Sequence, residues 1–218
     1  NMDATVTSIL HKSQEELEML ARKKEKHLYL GIESGLDDVL KFMKKDHDLA
    51  QAYQAIDRLH EAGLIYDAHI MTGVAGKGRG MENAEALAQF LNRTNPAHVV
   101  NFSMFLHKEV PLYQDIRQGT FVPADELETI REEYHLIERI APEKAGANIL
   151  YDGFHDFIHV RVRGHLPGDK EKMLAKLNGI IQEYEGKEPV YSFGQGECPD
   201  LEYCDDGKAV WDMDRKTS

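Results

Sequence analysis

The chain has 218 residues, of which 42% are hydrophobic, and a formal net charge of −12. This length is sufficient to bury a proper core, and the acidic balance argues against a nucleic-acid backbone or an anionic membrane surface as the main partner. No apolar run approaches the roughly 20 residues of a membrane span, and no N-terminal stretch has the form of a signal peptide. We therefore expect a cytoplasmic protein.

Cysteine usage limits the chemistry further. The sequence contains two cysteines, Cys198 and Cys204. A disulfide framework is excluded, and two thiols alone cannot hold a zinc ion or an iron–sulfur cluster. Asn1 before Met2 is unlike a native start, so we expect the chain to be part of a longer protein.

The first elements in chain order are a strand predicted near 5–9 and a helix that begins with the capping box Ser13 to Glu16. An apolar strand follows over 28–32. It ends in Glu33 and Ser34, a carboxylate and a hydroxyl between two glycines. Polar side chains at the C-terminal end of a strand are typical of a site in parallel α/β folds.

Two further strand–helix units follow. A helix over about 48–62, with Gly63 as its stop, precedes a strand over 65–71, and a helix over 81–93 precedes a strand over 98–105. The strand starts are one strand plus one helix apart. This spacing predicts parallel strands in sequential order, with right-handed crossovers and helices on one face.

The C-terminal third has a different pattern. Pro123 introduces a long helix, residues 149–151 and 157–162 are strand-like, and a helix runs to about 184. Residues 194–218 are glycine-rich and acidic, and we expect them to be partly irregular. We divide the chain into a partial β/α barrel over 1–145 and an α+β appendage with an irregular tail over 146–218.

These segments resemble the radical S-adenosylmethionine (SAM) enzyme family. Gly31 through Gly35 and the helix after it are similar to the family's fourth barrel strand, 62–73 to the fifth and 96–113 to the sixth. The run 165–170 resembles a Leu-Pro-x-Asp-Lys element common after the barrel in bacterial iron–sulfur oxidoreductases of this type. The resemblance covers about residues 8–180. It implies the C-terminal half of a TIM-like (β/α) barrel.

Parts of the family pattern have no counterpart here. The CxxxCxxC loop that ligates the 4Fe-4S cluster is absent, as is the Gly-Gly-Glu element of the second strand, and 108–110 replaces the family's Pro-Gly-Thr. The resemblance therefore implies a parent protein that uses SAM and a 4Fe-4S cluster. It also implies that this chain alone binds neither tightly and is inactive.

By position, the resemblance assigns cofactor contacts to residues at the ends of the fourth and fifth strands: Glu33, Ser34, Lys45, His69, Gly73 and Gly76. A strand-end carboxylate can accept both hydroxyls of a ribose or pair with an ammonium group. The structural alternatives are a surface or helix-capping carboxylate for Glu33, a solvated pair with Lys44 for Lys45, and a core histidine for His69.

Asn101 and Ser103 share a face of the strand over 98–105. We expect them to bind substrate on the same concave surface as Glu33 and His69.

A competing constellation is His155 and His159, which are four residues apart and near the H-E-x-x-H pattern, with Asp156 in place of the glutamate. It would make the protein a small metal-dependent hydrolase, although surface histidines without a ligand are the structural alternative. A third hypothesis is a non-catalytic α/β module that binds a nucleotide-like ligand or a partner. As partners we expect a small-molecule substrate, the missing N-terminal half of the barrel, and a second copy of the chain at an exposed sheet edge.

Overall fold

The computed structural model describes residues 2–23 and 26–192, together with the backbone of 200–203 and 209–212. Cys198, Cys204 and most of the tail predicted to be irregular lie outside the described residues. The strands are β1 (Met2–Ala4), β2 (His27–Glu33), β3 (Ile65–Thr72), β4 (His98–Ser103), β5 (Ile149–His155), β6 (Val160–Leu166), β7 (Asp200–Tyr203) and β8 (Ala209–Asp212). The helices are α1 (Val6–Leu10), α2 (Gln14–Arg22), α3 (Asp37–Phe42), α4 (Leu49–Glu61), α5 (Gly80–Thr94), α6 (Leu112–Arg117), α7 (Glu126–Arg139) and α8 (Lys170–Tyr184).

Six strands form one sheet in the order β1-β2-β3-β4-β5-β6, and β7 pairs with β8 in a separate antiparallel hairpin. Strands β1 to β5 are parallel, and β6 is antiparallel to β5. The parallel, sequential arrangement predicted for β2, β3 and β4 is confirmed. The sheet is that of a partial TIM-like barrel.

The strand predicted near 5–9 is wrong. The first strand is Met2–Ala4, and residues 6–10 form α1. Local composition is rich in β-branched residues and favours a strand. However, Thr5 and Ser8 form a capping box that begins a helix, and Val6 and Ile9 of that helix are buried in the core.

Helices α1, α2, α4, α5, α7 and α8 cover one face of the sheet, as predicted, whereas α3 and α6 contribute to a second, smaller apolar cluster. Alternate residues of β2, namely Leu28, Leu30 and Ile32, are fully buried in the main core. Core side chains from α4, α5 and α7 belong to the same cluster. The opposite face, which we call the inner face, carries the intervening residues of each strand.

Helix boundaries follow the chemistry of their ends. Asp48 accepts a hydrogen bond from Gln51 N and begins α4, and Gly63 follows this helix at φ +76°, a conformation that glycine adopts without steric cost. Ser13 and Glu16 begin α2 through reciprocal hydrogen bonds, as the sequence predicts.

Strand β5 pairs with β4 in parallel, with Val99 opposite Tyr151. The sheet therefore continues across residue 145, and β6 adds an antiparallel edge to it. The division into units at 145 stays a prediction. Within the described residues, no helix is long and apolar enough to cross a membrane.

Candidate site at the carboxyl ends of the strands

A β-bulge at the end of β2 places the Glu33 side chain. Gly31 is opposite His69 of β3 and Glu33 is opposite Ile70, so two residues of β2 pass while β3 advances by one. Glu33 has φ +63°, a left-handed conformation that is unusual for a residue with a side chain. Bulges of this kind re-aim a side chain, and strained residues cluster at functional sites.

The carboxylate of Glu33 lies above Gly31 on the inner face and pairs with Lys45. Lys45 Nζ donates to Glu33 Oε1 over 3.2 Å, and both side chains are about a quarter exposed. A Cβ at Gly31 would lie 2.8 Å from Glu33 Oε1 and 3.4 Å from Lys45 Nζ. Gly31 therefore leaves the space that the ion pair occupies. Lys45 therefore forms an ion pair with Glu33 and is not merely a solvated neighbour of Lys44.

A row of rings crosses the inner face beside this pair. The ring of His69 lies 4.8 Å from that of Tyr29 and 5.9 Å from that of Phe102, and Phe102 stacks on Phe154 at 5.8 Å. Phe102 remains 41% exposed. His69 is thus part of a partly exposed aromatic surface and shares the inner face with Glu33. Gly31 and His69 are register partners on strands ~4.8 Å apart. The Glu33 carboxylate, which lies above Gly31, and the His69 side chain are therefore neighbours.

Asn101 and Ser103 lie on the other face, so the expected convergence with Glu33 and His69 is wrong. Asn101 is fully buried, donates from Nδ2 to Glu133 Oε1 over 3.1 Å and accepts from Thr72 N. Ser103 Oγ donates to Glu126 Oε1. Both side chains point at α7, and their polarity is explained by the glutamates of that helix. Their assignment to substrate remains a prediction without geometric support.

A buried network on the helix side surrounds His155. Its Nδ1 lies 3.0 Å from Glu126 Oε2 and its Nε2 lies 3.0 Å from Glu133 Oε2, with all three side chains at most 1% exposed. Tyr151 Oη donates to Glu133 Oε1 over 2.9 Å. Burial by itself lowers the pKa of His155, but the two carboxylates outweigh it and raise this pKa to about 9.

The hydrolase hypothesis is therefore wrong. Both ring nitrogens of His155 face carboxylates and carry protons, so neither can ligate a metal. His159 is exposed on the turn before β6 at φ +52°. Within the described part of the chain, no group of three or more His, Cys, Asp or Glu residues could hold a metal ion. The expectation that both were surface histidines is also wrong for His155.

Three predicted contacts lie beside the inner face rather than on it. Ser34 is fully buried, and its Oγ donates to Asn83 Oδ1 over 2.7 Å. Gly73 N donates to Glu132 Oε2 over 2.8 Å, and the position of its absent Cβ is closed by Thr129. At Gly76, Val122 O and the Phe121 ring occupy that position. These three residues fix the loops around the site.

The buried glutamates of α7 are not among the residues predicted from the sequence. Glutamate in a helix usually lies in solvent, and the apolar stripe of α7 gave no reason to bury it. A signal was present, because Glu126, Ile130, Glu133 and Ile137 recur at helical spacing on one side of α7 and are all buried. When polar residues of a helix recur in register with its apolar stripe, they are expected to be buried. If the strand face opposite them also carries polar residues, the two sets indicate a buried hydrogen-bond network.

The residues present fit part of SAM. The Glu33 carboxylate has lone pairs and the Lys45 ammonium has protons beyond those used between them. They can therefore also bind ribose hydroxyls, an ammonium or a carboxylate in the space that Gly31 leaves open. The aromatic row offers a stacking surface for a purine. A 4Fe-4S cluster does not fit, because the sequence has two cysteines and the family's cluster needs three.

Comparisons with known proteins concern the family and the fold. Residues 2–91 match the model of the Radical SAM superfamily. A curated relative, the tRNA uridine(34) acetyltransferase of Methanocaldococcus infernus, is 25% identical over 119 residues, which cover 54% of this chain and 22% of that protein. This chain thus aligns with about a fifth of the relative's length.

A solved structure of Methanocaldococcus infernus Elp3 lacking N-terminal residues 1–46 shares the fold. It has a TM-score of 0.60 and 17% identity, and it matches 83% of this chain and 41% of that chain. The match in sequence over β1 to α5, and the match in fold over most of the chain, confirm the resemblance drawn from the motifs. Over residues 2–91 this chain is thus similar to the Radical SAM superfamily.

Proposed function

We propose that this chain supplies the cofactor- and substrate-contacting strands of a radical SAM enzyme of the iron–sulfur oxidoreductase type. The observation that carries the proposal is the Glu33–Lys45 pair, held above Gly31 by a bulge at the carboxyl end of β2. Parallel α/β folds collect ligands at this end of their strands.

In this proposal Glu33 and Lys45 bind and orient the polar groups of SAM, and the ring row from Tyr29 to Phe154 shields the reacting region from water. When SAM is bound with a reduced cluster, the two together supply the radical chemistry of the reaction. The cysteines for the cluster come from outside this chain. The chain by itself is therefore inactive.

The proposed substrate is a small molecule. The relative in Methanocaldococcus infernus is named for acetyl transfer to a tRNA uridine, but a net charge of −12 disfavours a polynucleotide surface on this chain. A cytoplasmic location and a barrel completed by a further segment or protein belong to the same proposal.

Equilibrium binding of SAM by isothermal titration calorimetry tests the function. We expect weak, millimolar-range binding to the wild-type chain, and at least a tenfold loss in E33Q or K45Q, about the free energy of one charge-assisted hydrogen bond. The matched control is K44Q, which removes the same charge from an exposed neighbour of Lys45. Equal effects of K45Q and K44Q, or no SAM binding at all, contradict the proposal.

A further inference from the structure

A chain of buried hydrogen bonds connects the ends of β2 and β3 through α5 and α7. Ser34 Oγ and Gly35 N both donate to Asn83 Oδ1, over 2.7 and 3.1 Å. Asn83 Nδ2 donates to Glu132 Oε1 over 2.7 Å. Glu132 Oε2 accepts from Gly73 N over 2.8 Å. Asn83 is fully buried, and Glu132 is 1% exposed.

This series of hydrogen bonds fixes two loops that border the candidate site. Ser34 and Gly35 immediately follow Glu33, whose left-handed backbone has to be held by its surroundings. Gly73 begins the glycine-rich loop after β3, at φ +82°. One amide and one carboxylate, neither on the inner face, therefore set the position of both loops.

We propose that Asn83 and Glu132 are positioning residues, which hold the Glu33 turn and the Gly73 loop in the geometry that binds ligand. This inference rests on the proposed function for its ligand, but the coupling itself concerns the loops alone. Both oxygens of Glu132 accept hydrogen bonds in this arrangement. A protonated acid keeps full acceptor strength at one oxygen only, so protonation loosens one of the two loops.

The proton on Glu132 makes this coupling observable. Burial raises its pKa to about 7, against the hydrogen bonds from Asn83 and Gly73 that lower it. Glu128 on the same helix also raises the pKa, and the His155 cation on β5 lowers it. Tyr151 of β5 faces the same region and stays neutral, because burial and the glutamates raise its own pKa. The loops are thus expected to tighten as the pH rises through about 7.

A charge swap within the chain of bonds tests the proposal. In E132Q the side-chain amide has one acceptor for two donors, so its NH2 group faces either Asn83 Nδ2 or Gly73 N, donor against donor. In N83D two carboxylates face each other. In the double variant N83D/E132Q the bond can reverse. The carboxylate then accepts from the Gln amide and still accepts from Ser34 and Gly35, and the Gln oxygen accepts from Gly73 N.

The readouts are two-dimensional ¹H–¹⁵N NMR spectra from pH 5.5 to 8.5 and calorimetric SAM titrations. In the wild type we expect the amide signals of Gly35, Gly73 and Lys45 to shift together with one midpoint near 7. The single variants should displace these signals and weaken SAM binding about tenfold, as loss of one buried hydrogen bond implies. The double variant should restore positions and affinity without the titration. The control E138Q changes an exposed residue of α7 and should leave all three signals in place.

Separate outcomes identify which claim fails. If the wild type does not bind SAM but the three signals titrate together and the double variant restores them, the proposed function fails and the positioning role stands. The inference is overturned if the double variant resembles the single variants. It is also overturned if the Lys45 signal does not change in either single variant while urea unfolding shows that both lose stability, because Asn83 and Glu132 are then structural only.

Discussion

Two groups of polar side chains on opposite faces of the central sheet lie in different surroundings. On the helix side, Asn101, Tyr151 and His155 are fully buried, and each is hydrogen-bonded to a glutamate of α7. On the inner face, Glu33 and Lys45 are partly exposed and bonded to each other. The first group has its hydrogen bonds within the fold, whereas the second retains capacity for a ligand. A polar residue at a strand end thus indicates a site only after its face is known.

The largest expected effect follows from removing a carboxylate on the helix side. E133Q leaves the buried His155 cation without one of its two anions and weakens bonds from Asn101 and Tyr151, so it should cost about 3–5 kcal/mol of unfolding free energy. On the inner face, E33Q should cost under about 1 kcal/mol, because its ion pair is partly solvated. Urea unfolding measures both. Similar costs for the two variants would contradict the distinction between the faces.

The pH dependence of stability should come from the same helix-side network. The pKa of His155 is raised from 6.5 to about 9 in the folded state, so its contribution is fully present below pH 6.5 and is lost as the pH rises through 9. The expected fall in unfolding free energy over this window is on the order of 3 kcal/mol. Urea unfolding at several pH values measures it. A flat profile in the wild type, or the same slope in H155Q, would show that this cation is not stabilised as described.

Close packing on the helix side gives a third contrast. A Cβ at Gly153 of β5 would overlap Glu133 Oε1, whereas one at Gly179 on the exposed side of α8 meets nothing within 4 Å. We expect Gly153→Ala to destabilise by about 1–3 kcal/mol. Gly179→Ala, the matched control, should stabilise by about 0.5–1 kcal/mol, because alanine favours the helix. Thermal unfolding of both variants measures these two changes in stability. If Gly153→Ala were as stable as the wild type, the packing of Glu133 against Gly153 would be less close than the structure shows.

The smallest expected effect concerns the β1 edge. Strand β1 has three residues and pairs only with β2 among the described strands, so its outer edge offers backbone groups to a second chain. We propose weak homodimerisation there, and A4P should abolish it with little change in stability at this terminus. Sedimentation at high micromolar concentration measures the dimer. A strict monomer in the wild type would contradict this proposal.

The sequence predicts those parts of the fold that depend on local chemistry. The capping box at Ser13, the helix start near 48, the stop at Gly63 and the strand end at Glu33 are all local signals, and the structure has each of them. The prediction for the first strand is wrong because two local signals conflict within six residues: the β-branched residues favour a strand, and the capping box favours a helix. There the helix is favoured by the burial of Val6 and Ile9.

The candidate site was predictable only in part. Glu33 and Lys45 are twelve residues apart, and their pairing depends on a bulge that no local pattern reveals. The face of Asn101 could not be read from β4 alone, since a strand face is polar either toward solvent or toward a buried partner. Its partner, Glu133, lies 32 residues away on α7. Such contacts become visible only when helix and strand are placed together.

The most direct test of the central claim is an NMR titration of the wild-type chain with SAM, with amide signals assigned. The account predicts that shifts concentrate at Gly31, Glu33, Lys45 and His69, on the inner face at the carboxyl ends of β2 and β3. The amides of Tyr151 and His155 in the buried network should stay in place. Shifts confined to other surfaces, or none at millimolar SAM, would contradict the claim that these strands form a SAM-binding face.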